Sequence, residues 1–175
     1  MNVKKILLPL ATLVAAGAIA VGSGATFTST TANTISSVTS GTLTQSNSKA
    51  DKAIFTLGNI KPGDTVNGSL TITNTGSLPA TFSLTETAST NTFTGSNLTL
   101  DITNTTTKKL VWSGTFGELV DGSKTDLGLV APGAANSYTF AVKLNQATPN
   151  TDQGKTATAA FQWDSVQAEA ATTNQ

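Results

Sequence analysis

Apolar residues return at every second position in several stretches after residue 50, and that period predicts β-strands with one buried face. Val66, Leu70 and Ile72 share a face of residues 65–73, Phe82 and Leu84 share one in 80–85, and Leu98, Leu100 and Ile102 form a third set. Tyr138, Phe140, Val142 and Leu144 give the cleanest alternation, and Ala157, Ala159, Phe161 and Trp163 close the series. Shorter strands are expected at 54–57, 110–112, 116–120 and 127–130. Turn signals stand between the runs: Lys61-Pro-Gly-Asp64, Asn74-Thr-Gly76, Asp121-Gly122, Ala131-Pro-Gly133 and Pro149-Asn150. Many short strands at this spacing predict an all-β chain, an antiparallel jelly roll or β-sandwich forming a single domain over residues 50–166. Its inward residues should include Leu70, Ile72, Phe82, Leu84, Phe140, Val142, Phe161 and Trp163. Residues 167–175 are expected to be a flexible tail.

The two ends of the pattern differ from its middle. Residues 6–21 are an apolar stretch preceded by Lys4 and Lys5 and followed by Gly22, Ser23, Gly24 and Ala25, the layout of an export signal. Ser23 and Ala25 place small side chains before the Ala25/Thr26 bond, which is where cleavage is expected. Pro9 and Thr12 interrupt a run already short of the ~20 residues that span a bilayer, so a signal of residues 1–25 is preferred to an anchor. Residues 26–49 follow, rich in Ser and Thr with isolated Phe27, Ile35, Val38 and Leu43. This strand-prone extension has too few apolar side chains to bury much by itself.

Composition then narrows the chemistry. Only 11% of the residues are charged and there is no Arg, His or Cys. The commonest general base, the soft zinc ligands and every disulfide are thereby missing. The Glu residues, Glu86, Glu118 and Glu169, are scattered, and no Ser or Thr has an imidazole to activate it. The expectation from sequence is therefore that the chain is not an enzyme and needs no cofactor or metal. Removing Lys4 and Lys5 with the signal leaves 8 Lys against 10 acidic residues, a net charge of −2. No basic run with interleaved aromatics occurs, so nucleic acid is not an expected partner. Asp121-Gly-Ser-Lys-Thr-Asp126 alternates oxygen ligands as calcium loops do, but Lys124 and the missing downstream Glu make a solvated turn the better reading. Asn67, Asn97 and Asn104 begin N-glycosylation sequons.

Several motifs also occur in one order: Gly22-Ser-Gly-Ala-Thr-Phe27, Ser40-Gly-Thr-Leu43, Asn59-Ile-Lys-Pro-Gly-Asp64, Asn74-Thr-Gly-Ser-Leu78 and Ala160-Phe-Gln-Trp163. In that order the chain resembles the TasA/camelysin family of biofilm-matrix fibre proteins. The resemblance implies a jelly-roll domain, processing by a dedicated signal peptidase, and secretion to the extracellular matrix or cell surface. It also implies a homopolymer in which the mature N-terminal segment of one subunit completes the sheet of the next. By position, that donor comprises Thr26, Phe27, Thr28, Ser29, Thr30, Thr31, Ile35 and Val38. A strand-prone segment joined to a charge-poor β domain is what strand addition requires. The expected partners are further copies of the chain, the signal peptidase during export, and other matrix proteins. The competing readings are a monomeric cell-surface binding module and a minor accessory that caps or anchors fibres. Some camelysin-type relatives are described as proteases, an activity that the lack of His speaks against.

Overall fold

A computed structural model of the protein describes residues 27–31, 34–38, 41–56 and 58–169. The chain divides into two units, one ending at Ser40 and the other beginning at Gly41. The first unit contains β1 (Phe27–Thr31) and β2 (Thr34–Val38), which pair antiparallel.

The second unit is an antiparallel β-sandwich, as the alternation predicts. Its strands are β3 (Gln45–Asn47), β4 (Thr65–Asn74), β5 (Ala80–Asn91), β6 (Leu98–Asn104), β7 (Lys109–Thr115), β8 (Lys124–Val130), β9 (Ala135–Leu144) and β10 (Ala157–Gln167). One sheet runs β3-β4-β9-β6-β7 and the other β10-β5-β8. The chain changes sheet at β4/β5, β5/β6, β7/β8, β8/β9 and β9/β10, and the β4/β5 and β8/β9 pairs run together, with β4 beside β9 and β5 beside β8. Two linked strands thus lie antiparallel along two other linked strands, which is jelly-roll connectivity.

Period two decides which side chains meet between the sheets. Leu70 and Ile72 from β4, Phe82 and Leu84 from β5, the Leu98/Leu100/Ile102 set from β6, and Tyr138 to Leu144 from β9 are buried together. Trp163 of β10 stacks at a tilt on Tyr138, with ring centroids 4.9 Å apart. Phe161 is only half-buried, yet its ring lies 5.2 Å from that of Phe140.

Two expected strands are not strands. Residues 54–56 cross the sheet without joining it, while Ile54 and Phe55 still pack against the core; Leu57 lies outside the described residues. Residues 116–120 form a turn in which Phe116 and Leu119 are buried and Val120 is 66% exposed. That three-residue spacing of anchors belongs to a turn, whereas a strand would have buried every second residue. Conversely, the stretch read as linker contributes β3, which pairs with the end of β4.

Gly68 explains how the 54–56 crossing is accommodated. It lies mid-strand in β4 opposite Phe140, where a methyl group would overlap the Ile54 carbonyl oxygen and stand 2.9 Å from Phe55 Cβ. Glycine inside a strand often marks such a close backbone approach. Gly68→Ala is expected to lower stability by about 1–3 kcal/mol through overpacking. A thermal melt of the variant that matches the wild type would show that the crossing segment yields freely.

Candidate functional site

Ala25 and Thr26, the expected cleavage site, lie outside the described residues. The rest of the expected donor segment is built from β1 and β2. Phe27 stands opposite Val38, Thr28 opposite Ser37, Ser29 opposite Ser36, Thr30 opposite Ile35 and Thr31 opposite Thr34. The segment therefore pairs part of its backbone within itself, β1 against β2, a pairing that the Ser/Thr-rich sequence did not announce.

The three sequon asparagines have different surroundings. Asn67, on β4, is exposed. Asn97 is half-buried and donates through Nδ2 to the Asp152 carboxylate at 2.8 Å. Asn104 is 3% exposed, and its Oδ1 accepts from the Thr106 and Thr107 amides at 3.0 Å each, capping the turn between β6 and β7. Of the three, only Asn67 is an exposed residue. Trp163 is buried and Trp112 half-buried against the core, so neither lies free on a face.

A groove of about 1010 Å³ lies at one end of the sandwich. Ile60, Pro62, Phe93, Leu144 and Pro149 give it apolar walls, and Lys61 and Lys155 stand at its margin. Asp152, also in its lining, is buried by position but fully engaged. It accepts from Thr94 Oγ1 at 2.7 Å, the Thr94 amide at 3.1 Å and Asn97 Nδ2 at 2.8 Å. These hydrogen bonds, led by those of the Thr94 and Asn97 side chains, hold its carboxyl below the usual range. It thus pins the Thr94 turn to the 150–152 helical turn and has little left to offer a ligand.

The other buried carboxyl is the reverse case. Glu86 follows Phe82 and Leu84 on the inward parity of β5, is 0% exposed, and neither of its oxygens has a hydrogen-bond partner. Ser89 is near it, but the Ser89 hydroxyl donates to the Gly117 carbonyl at 3.3 Å. Desolvation, reinforced by the Asp121 charge and opposed by Ser89, pushes the Glu86 carboxyl up to about 7. The Asp121–Asp126 motif splits between a turn and β8: Asp126 Oδ1 accepts from the Gly128 amide, and Lys124 pairs with Asp164 at 3.4 Å.

The sequence profile of a family described as camelysin metallo-endopeptidase matches residues 3–164. The chain belongs to the camelysin family. No curated protein matches it. Membership in this family, the TasA/camelysin family, fits a structural protein of the biofilm matrix. It also corrects one expectation: the family bears the name of a metal-dependent endopeptidase, so the reading of the chain as no enzyme does not stand. The name implies a metal, and the donors present decide whether the chain can hold one. Catalytic zinc takes three protein ligands, most often including His. The sequence has neither His nor Cys, and among the described residues no three carboxylates gather at one point. Glu86, among the described residues the one buried carboxyl with both oxygens unpartnered, has Asp121 as the acidic neighbour that acts on it. These residues do not fit a zinc centre, and no hydrolytic step is derived through one.

Proposed function

We propose that the chain is a secreted structural subunit of the biofilm matrix, exported by cleavage between Ala25 and Thr26. The mature subunits polymerise head to tail, with residues 26–38 of one completing a sheet of the next. Family membership carries this reading. Two features support it: the segment is extended along most of its length, and the chain divides into separate units immediately beyond it.

The energetics follow from the pairing of β1 with β2. When the segment leaves β1–β2 pairing for a neighbouring sheet, one set of backbone hydrogen bonds replaces another, each contributing a net ~0.5–1.5 kcal/mol. The exchange of those bonds is close to neutral, so the driving force comes from apolar burial of Phe27, Ile35 and Val38 in the acceptor and from ladder bonds to the backbone groups that the two-stranded pair leaves open. A contact of this kind is heterologous, and an interface that does not close on itself extends into a filament. Deleting residues 26–38 should leave the circular dichroism of the sandwich unchanged and abolish filaments in negative-stain micrographs. Filaments of the truncated chain as abundant as those of the mature protein would overturn the reading.

A further inference from the structure

β5 is longer than the strand beside it. β8 pairs with residues 80–85 of β5 and stops, leaving the stretch from Glu86 to Asn91 without a strand on that side. The β7–β8 connection, residues 116–123, takes its place. The Gly122 amide donates to the Glu86 carbonyl at 2.8 Å, Ser89 Oγ donates to the Gly117 carbonyl, and Asn91 Nδ2 donates to the Phe116 carbonyl at 2.9 Å. Phe116 and Leu119 anchor the connection in the core, with the Phe116 ring edge-on to Phe55 at 6.2 Å. It is a strap, held to β5 by three hydrogen bonds, to β6 by the Phe116 amide on the Leu98 carbonyl at 2.9 Å, and to the core by two apolar side chains, beside a carboxyl that has no partner.

We propose that this strap is operated by pH: it stays closed while the Glu86 carboxyl carries a proton and opens when that carboxyl ionises against Asp121. An ionised carboxylate that is fully buried and unpaired costs several kcal/mol to hold in place. Opening the strap is the shortest way to bring water to it. Among the described residues no cation offsets that cost. The strap itself brings Glu118 and Asp121, both acidic and exposed. From β8 comes Lys124, which is bound to Asp164 of β10. Opposite Glu86 on β10 stands Phe161. The inward face of the other sheet offers only Tyr138 as a titratable group, and burial pushes its hydroxyl up to about 12, so it stays neutral. Beside the carboxyl, the backbone adds a weak point, because Thr87 is an extra residue where the β5–β10 register shifts. Opening bares the side of β5 from Glu86 to Asn91, an edge able to pair with another strand.

The sign follows from the two protonation states. With the strap closed the carboxyl titrates near 7, and once solvated it returns to about its ordinary 4.5. Closure is therefore fully favoured below 4.5 and weakens as pH rises through 7. Between pH 5.5 and 8.5 the opening equilibrium should grow on the order of 30-fold.

Amide hydrogen exchange of the full chain, corrected for the intrinsic pH dependence, reads this at Glu118, Gly122 and Ser123, whose amides are bonded within the strap, to the end of β7 or to β5. Their protection should fall about that much in the wild type across this range. In Glu86→Gln, which keeps the shape and cannot ionise, it should stay flat. Asp121→Asn, at an exposed position, should move the midpoint to lower pH by removing the like charge. Coincident wild-type and Glu86→Gln profiles would overturn the proposal. So would an equal loss of protection in the β9 amides, which would mean global unfolding rather than release of the strap.

Discussion

Phe140→Ala is expected to lower the stability of the sandwich by about 3–5 kcal/mol, the largest single effect among the apolar residues. Phe140 is 0% exposed on β9, the strand flanked by β4 and β6 in the larger sheet. Its ring is the meeting point of the two layers, 5.2 Å from Phe161, 6.4 Å from Trp163 and 6.3 Å from Phe55. Collapse around the missing ring is hindered from the backbone side too. Opposite Phe140 on β4 stands Gly68, which has no side chain to move into the space and is already pressed by Ile54 and Phe55. The cavity should therefore persist and the cost approach the upper part of the range. Denaturant unfolding at constant slope gives the value directly. A loss below about 1 kcal/mol would mean that the layers close over the gap and that Phe140 is not the hub of the core.

The strands were legible where side chains obey period two, because a half-buried strand leaves a mark at every second residue. The 138–144 run needed nothing else. Phe116 and Val120 fit that period equally well, yet only Phe116 is buried, since a turn anchored at Phe116 and Leu119 satisfies a different geometry. The crossing at Ile54 and Phe55 was misread for a related reason. Two adjacent apolar residues look like a short strand, but here they lie over Gly68 and draw no ladder hydrogen bonds. Glu86 was available to a stricter reading. Phe82 and Leu84 fix the inward parity of β5, and Glu86 is the next residue on it, so its burial was predictable while its lack of a partner was not. The self-pairing of 27–38 left no period to read, because few of its residues are apolar.

Asn74 shows the same parity rule applied to a neutral polar group. It is the next inward position of β4 after Leu70 and Ile72, and it is 0% exposed. Its Nδ2 donates to the Leu78 carbonyl at 2.8 Å and to the Val130 carbonyl at 3.0 Å, while its Oδ1 accepts from the Gly76 amide at 3.0 Å. One side chain thus ties the β4–β5 turn to the end of β8 in the opposite sheet. Asn74→Ala removes all three bonds at once. Gly76 keeps a second acceptor in the Thr44 carbonyl at 3.1 Å, so the main cost falls on the two carbonyls. At about 1–3 kcal/mol for each buried group left unsatisfied, a loss of about 2–6 kcal/mol is expected. Asn74→Asp separates this account from simple loss of packing, because it keeps the shape but replaces the double donor with an acceptor facing two carbonyls. Burial and those carbonyls should raise the carboxyl above its ordinary value, so that this variant is most stable at low pH, where the protonated acid still donates one bond, and loses stability as pH rises through the raised value. Equal unfolding free energies for Asn74→Asp at pH 4 and pH 8, after subtraction of the wild-type change, would show that the two carbonyls do not depend on the Asn74 amide.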